Sequence, residues 1–430
     1  MKKPVCVSAI NRLRIGAFVL LAVFVILSCD QMPVFYNISQ ESSPRSAVIP
    51  GSPQNMVLTG SSIYAWNREN IWRFSGPGWK WERVGVPVPS RPIGGVAAVE
   101  INGQDYLYAV VHSGGSMPES QIWMHDGAKW EPTHLDPANL DPDDISGFSI
   151  GLLFTAKDQF FARAQSGSSY HILRFVPDSS GNLTAEKLEV MEDGNPVNDS
   201  SVNLSGAVEI NGEIYLATAR RGIFKFDPVI GGALTPIAPP SDFVVTGILA
   251  VGDKIAVAGN TRDAGRLYEL DGSPQTEWPE PKISDQNGTF FNGGMTVWRG
   301  FDDLYNDWKP LLLLAGVRTS TRNVNGYREI PLDDTGNIGA SLRMPGDSND
   351  DVKSSVASRA RYRANIGTRS VRFILQSPNL EGSFYPDMTK NEGWQPPIFA
   401  STSIDGLWSY NSRKDEWNAD DNSITWQGTP

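Results

Sequence analysis

Tyr215-Leu216-Ala217-Thr218-Ala219-Arg220-Arg221-Gly222-Ile223-Phe224-Lys225-Phe226-Asp227 aligns without a gap on Phe399-Ala400-Ser401-Thr402-Ser403-Ile404-Asp405-Gly406-Leu407-Trp408-Ser409-Tyr410-Asn411. Each stretch holds an alternating strand, a polar turn ending in glycine, and a second alternating strand with aromatics in the same places. Alternation with period two puts successive side chains on opposite faces of a sheet. Glycine enters the left-handed backbone region that a tight turn needs. Both stretches are therefore expected to form β-hairpins that turn at Gly222 and Gly406. In the corresponding place further upstream stands Asn70, the residue type next most tolerant of that backbone region.

Working outward, the second strand of the hairpin belongs to a pattern of four residues: an aliphatic, an aromatic or leucine, any residue, then usually an aromatic. It recurs as Ile71-Trp72-Arg73-Phe74, Ile122-Trp123-Met124-His125, Ile172-Leu173-Arg174-Phe175, Ile223-Phe224-Lys225-Phe226, Leu267-Tyr268-Glu269-Leu270 and Leu407-Trp408-Ser409-Tyr410. Successive starts lie 51, 50, 51, 44 and 140 residues apart, and the last interval leaves room for a degenerate copy at Gly326-Tyr327-Arg328-Glu329-Ile330. Seven sheet units result, at roughly 56–90, 94–136, 147–192, 204–238, 245–284, 293–332 and 352–427.

A sheet unit of about 40 to 50 residues that repeats with aromatics in fixed places is the mark of a β-propeller. A lone four-stranded blade would expose both faces, so blades must cover one another around a closed ring. The expected fold is all-β, a seven-bladed propeller, with six or eight blades as neighbouring solutions and a sandwich or solenoid as the other arrangement of such strands. Gly222-Ile223-Phe224-Lys225-Phe226-Asp227 and Asp405-Gly406-Leu407-Trp408 resemble the blade motif of two-component-regulator-type propeller repeats.

The N-terminus carries a different signal. Lys2, Lys3, Arg12 and Arg14 precede an apolar run from Ile15 to Leu27, too short to span a bilayer comfortably and flanked like an export signal. Ile26-Leu27-Ser28-Cys29 closes the run and resembles the bacterial lipobox, which implies cleavage before Cys29 and acylation of its thiol, with palmitate among the chains. The organisation expected is a lipoprotein signal peptide at 1–28, a lipidated tether at 29–55 rich in serine and proline, and the propeller at 56–430. Acyl chains anchor through about 0.8 kcal/mol per buried methylene.

Loss of residues 1–28 removes four of the 37 basic side chains and none of the 48 acidic ones, which leaves a net charge near −15. Nucleic acid is excluded as a partner, because binding it requires clustered cations. Cys6 leaves with the signal and Cys29 is consumed by lipid, so no disulfide and no nucleophilic thiol remain in the mature chain. The four histidines, His112, His125, His134 and His171, lack the paired spacing of a zinc site, and no metal or other cofactor is expected. Asp136, Asp141, Asp143 and Asp144, and again Asp347, Asp350 and Asp351, cluster without calcium-loop spacing. The tryptophans are expected to fill blade interfaces.

On so acidic a chain the segment Lys353 to Arg372 stands out, with six basic residues and a short helix expected at Ser355 to Asn365. Arg359, Arg361 and Arg363 are the candidate binding residues, suited to an anionic partner. No catalytic constellation appears in the sequence. The preferred function is a monomeric, lipid-anchored scaffold of the bacterial cell envelope that binds a protein partner. Its architecture resembles propeller lipoproteins of spirochaetes and a propeller subunit of outer-membrane assembly machinery. An enzyme acting on glycans or lactones, marked by carboxylates converging on the axis, and a small-ligand sensor are the alternatives.

Overall fold

The structure, a computed structural model, describes residues 47–59, 62–75, 80–112, 120–133, 135–137, 148–192, 194–228, 233–238, 243–259, 265–277, 290–298, 301–302, 307–308, 312–318, 327–332, 336–337, 371–376, 398–402, 406–411 and 416–419. The signal peptide, Cys29, most of the tether, the expected helix at Ser355–Asn365 and the arginines 359, 361 and 363 lie outside the described residues.

The fold is an all-β propeller. Among the described residues, six blades are sequential antiparallel sheets of four strands, spanning 55–85, 93–132, 149–188, 204–238, 245–277 and 371–419. The fourth coincides with the span read from the sequence. The expected count of seven is corrected. The unit anticipated at 293–332 is a sheet of three strands, Phe290–Trp298, Leu312–Arg318 and Tyr327–Pro331, whose first strand touches the first strands of the fifth and C-terminal blades. Its last strand ends at Pro331, which cannot donate to a ladder, and the Asp333-Asp334 that follows has poor strand propensity. The connection after the second blade is also reassigned. Leu135–Pro137 runs parallel to the outer strand of the third blade, opposite Leu183–Ala185, so it extends that sheet.

The two aligned hairpins form as expected. Gly222 has φ +94° and Gly406 φ +83°. In both, the threonine that ends the preceding strand donates its hydroxyl to the glycine carbonyl, Thr218 to Gly222 at 3.3 Å and Thr402 to Gly406 at 3.1 Å. Asn70 behaves differently from expectation and is not among the residues of positive φ. There the turn is held by Asn67, whose Oδ1 accepts from the N–H groups of Glu69 and Asn70, both at 2.9 Å. The turns between first and second strands carry a signal the sequence reading passed over: Asn102-Gly103 and Asn211-Gly212 all take positive φ, the type I′ geometry that matches strand twist.

The alternation of the four-residue pattern sets what each blade presents to its neighbours. Ile71, Ile172 and Ile223 join clusters with the following blade, while Trp72 and Phe74, Leu173 and Phe175, and Phe224 and Phe226 join clusters with the preceding one. Near the axis the inner strands come so close that glycine is required. A Cβ on Gly95 would stand 2.7 Å from the Gly151 carbonyl oxygen, and one on Gly294 would stand 2.1 Å from Phe373 Cα.

The ring is closed by the segment before the first blade. Gly406 N donates to Gly51 O at 2.8 Å, Leu407 N to Ile49 O at 3.1 Å, and Ser401 Oγ to Pro53 O at 2.7 Å. Ile49, with no exposed surface, packs in one cluster with Phe74 and Trp81 of the first blade and Phe399 and Leu407 of the last. A Cβ on Gly406 would stand 2.3 Å from the Ile49 carbonyl oxygen. Gly406→Ala is therefore expected to cost roughly 3 kcal/mol or more, the left-handed conformation accounting for about 1–2 of it and displacement of the clasp for the rest. Gly103→Ala, with similar φ and nothing within 4 Å, should cost only the conformational part. Urea denaturation of the two variants measures the difference, and equal losses would show that the clasp contributes nothing.

Candidate functional site

Neighbouring inner strands run side by side in one direction. Ser205 Oγ donates to Val245 O at 2.8 Å, and Ala98 N donates to Thr155 Oγ1 at 3.4 Å. The inner strands therefore begin at one end of the ring, here called the front. Second-to-third turns and the connections between blades also lie there, while first-to-second and third-to-fourth turns form the rear.

At the front, between the second and third blades, polar groups gather at the mouth of the ring. The His112 ring lies over the inner strand, with its Nε2 2.1 Å from where a Cβ on Gly94 would stand. Its Nδ1 is 3.2 Å from Ser120 Oγ, which also accepts the Ile150 N–H at 2.8 Å. Burial lowers the His112 pKa, and the charge of Arg68 lowers it further. One blade on, the Arg163 guanidinium crosses the inner strand in the same way, with Nε and Nη2 3.0 Å from the Cβ position of Gly151. Burial pulls its pKa below the ordinary arginine value, nearby Tyr170 opposes this, and no carboxylate among the described residues contributes. Ser120 and His112 do not make a nucleophile and base. The serine is shared with a backbone amide, and among the described residues no carboxylate orients the imidazole. What the mouth offers is a partly desolvated cation on one blade and, on the blade before it, an imidazole whose charged form burial disfavours, a setting for anion recognition.

Beside it, the hairpin of Val190–Glu192 and Asn195–Val197 and the short turn Ser200–Val202 sit over the front of the third and fourth blades. Tyr170 N donates to Asn198 O at 2.6 Å. Arg221 binds this insertion through Glu192 at 2.6 Å and Asp199 at 3.4 Å.

Charge divides between the two ends. Among the described residues the front carries Arg68, Arg91, Arg220 and Arg221 in turns or connections, Arg266 and Arg372 in the second position of their strands, and Arg163. Its acids are Glu69, Glu189, Glu192 and Asp199, with Glu277 opposite Arg266 in register. At the rear stand Glu100, Asp105, Asp126, Asp158, Asp178, Glu209, Glu213, Asp227, Asp253, Glu269 and Asp271, against Lys80, Lys129, Lys157 and Lys254. Thus, among the described residues, the cations in the front turns and connections are arginines and those in the rear turns are lysines.

Between the ends, polar side chains serve the fold. Arg73 lies 3.9 Å from Asp105 of the next blade. Arg174 donates to Gln159 and, at 2.9 Å, to Glu186, and its guanidinium stands 4.8 Å over the Phe226 ring of the next blade. Both arginines occupy the third place of the four-residue pattern, which the sequence reading left open to any residue. At the rear, Lys254, only 8 % exposed, likewise serves the fold, meeting Glu269 at 3.2 Å and Asp253 at 3.4 Å. Trp66, Trp72, Trp81 and Trp408 are buried in blade packing. Among the described residues no three of His, Cys, Asp and Glu group as metal ligands, and no helix is long and apolar enough to cross a membrane.

No protein family and no curated protein matches the sequence. Among solved structures, the chain is similar to the extracellular domain of a hybrid two-component system of B. thetaiotaomicron, with 13% identity and a TM-score of 0.46, covering 85% of this chain and 39% of that one. It is similar to an ancestral GH74 enzyme at 15% identity and a TM-score of 0.51, covering 90% of this chain and 50% of that one. A catalytically inactive virginiamycin B lyase of Staphylococcus aureus is 10% identical with a TM-score of 0.49, covering 85% of this chain and 97% of that one. The chain thus spans well under two thirds of the length of the first two, and identities this low speak for the fold alone.

The lowered pKa of His112 has a consequence for stability. The folded chain takes up its proton at lower pH than the unfolded chain does, so below the unfolded value of about 6.5 the unfolded state binds more protons and folding weakens as pH falls. His125, also lowered by burial, acts with the same sign. His112→Gln should therefore flatten, without abolishing, the loss of stability between about pH 7 and 5. Thermal unfolding across that range measures the slope, and an unchanged slope would mean the imidazole is solvated.

Proposed function

We propose that this chain is an exported bacterial lipoprotein, acylated at Cys29, whose propeller is a rigid binding scaffold in the cell envelope. The observation that carries the binding reading is the division of labour among polar groups. Between the ends they are spent on strand and blade pairing, and at the front, among the described residues, no carboxylate pairs with Arg163 or orients His112. The anchor reading rests on the basic flank, the apolar run Ile15 to Leu27 and the lipobox-like Ile26-Leu27-Ser28-Cys29.

The partner we propose is a protein bearing carboxylates, held by arginine. Arg359, Arg361 and Arg363 remain candidate contacts on this reading. A second reading, a sensor of a small carboxylate at the mouth, is favoured by the partly desolvated Arg163.

In cells, the wild-type chain is expected to incorporate a palmitate analogue and to need detergent for extraction, and Cys29→Ala to lose the label. A wild type without label would remove the anchor. Arg359→Glu/Arg361→Glu/Arg363→Glu should lose in-cell crosslinks to the partner while its thermal unfolding is unchanged. Crosslinks that survive in that variant but vanish in Arg163→Gln would move recognition to the mouth.

A further inference from the structure

We infer that the propeller turns its front end toward an anionic membrane surface, so that the exposed front arginines meet lipid phosphates and the acidic rear faces away. The inference rests on the lipid anchor proposed above and adds its orientation. Two independent observations carry it. One is the segregation of charge, arginine at the front and carboxylates at the rear. The other is where the chain joins the ring. The segment from Ala47 to Gly51 lies against Gly406 and Leu407, at the front turn of the C-terminal blade, so the tether reaches the propeller at the basic end.

Magnitudes favour this orientation over its reverse. On the proposed tether reading, a coil of the length between Cys29 and Ala47 would have a mean span of about 20–25 Å. An inner strand of nine residues such as Ile93–Ile101 is about 30 Å tall. To present the rear, the tether would have to stretch past the height of the ring toward its contour limit of about 60 Å. Repulsion between the rear carboxylates and anionic headgroups would add to that cost. The front needs neither. Arg68, Arg91 and Arg220 are exposed, and guanidinium matches phosphate with paired hydrogen bonds.

The mature chain has no cysteine other than Cys29, so one introduced thiol gives a unique label. Full-length acylated protein carrying a fluorophore at Glu69→Cys, in a front turn, or at Asp271→Cys, in a rear turn, is reconstituted into vesicles. The vesicles are phosphatidylcholine alone or mixed with phosphatidylglycerol, and both contain a headgroup quencher. Flotation with phosphatidylcholine vesicles reports the acyl anchor by itself. If the chain does not float there, the anchor reading falls and the orientation with it. If it floats, the front label is expected to be quenched severalfold more than the rear one in phosphatidylglycerol vesicles. High salt and Arg68→Gln/Arg91→Gln/Arg220→Gln should abolish that difference while flotation persists. Equal quenching of the two labels, stronger quenching of the rear, or a front preference indifferent to salt and to the arginines would overturn the orientation and leave the anchor standing. The first two results would assign the front arginines to an acidic protein instead.

Discussion

The carbonyls of Ile49, Gly51 and Pro53, accepting hydrogen bonds from the C-terminal blade, hold together two elements more than 340 residues apart in sequence. Each bond contributes only about 1 kcal/mol, and burial of Ile49 adds about 2. Their leverage is larger than their sum. Were the clasp to open, Phe399 of the last blade would lose the contacts it makes with Phe74 and Trp81 of the first, at ring-centroid distances of 5.1 and 5.3 Å. Aromatics of this kind bury about 150–250 Å² each. A few local bonds thus decide whether several large apolar side chains are wet or dry, and closure behaves as a condition on the fold rather than an ornament to it.

Once the ring is closed, the blade faces are dry, and a charged side chain can stay there only with a partner. Arg174 illustrates the terms. It lies between Glu186 and Gln159 of its own blade and the Phe226 ring of the next. Lys254 meets the same demand through Glu269 and Asp253. Groups engaged in this way are poor candidates for recognition, because a ligand would first have to compete with the fold for them. The mouth differs in kind. Arg163 crosses an inner strand where glycine leaves room, and no carboxylate among the described residues contributes to its shift. On the proposed reading, recognition falls to groups of this kind at the mouth, while the paired groups inside maintain the ring.

The sequence made some of this legible and hid the rest for physical reasons. The hairpins at Tyr215–Asp227 and Phe399–Asn411 could be read because alternation and a turn glycine fell within one short window. The aromatic places of the pattern could be read because they repeat. The third place looked unconstrained because its partner, Asp105 for Arg73 or Phe226 for Arg174, lies in another blade, and spacing along one chain does not say which face meets which neighbour. Gly95 and Gly294 were opaque for the same reason, since the atoms that exclude a Cβ there, Gly151 O and Phe373 Cα, belong to the adjoining sheet. Asn70 misled because two ways of closing a short turn exist. A side-chain oxygen at Asn67 replaces the left-handed residue that glycine supplies elsewhere. The basic segment containing Arg359, Arg361 and Arg363 was conspicuous by composition, a property that carries no information about place.

The two ends of the ring also differ in how freely evolution can use their charge. Many rear carboxylates hold turns. Asp126 Oδ1 accepts the N–H groups of Ala128 and Lys129 at 2.9 and 3.0 Å, Asp178 Oδ1 those of Ser180 and Asn182 at 2.7 and 2.9 Å, and Asp271 Oδ1 that of Ser273 at 2.8 Å. Backbone donors lower the Asp126 pKa, and the hydroxyl and amide of Ser273 lower that of Asp271. Acidity at these three positions is thus a by-product of the way short turns are closed, and it would accompany this repeat whatever the protein did. Among the front arginines, Arg221 ties down the insertion at 190–202, Arg266 stands over the Phe243 ring at 5.9 Å and Arg372 donates to Gln54 at 2.8 Å. Arg68, Arg91 and Arg220 are exposed in turns whose geometry does not require a guanidinium. Charge that the fold does not need is the charge most open to shaping by a partner, so the basic front says more about function than the more heavily charged rear.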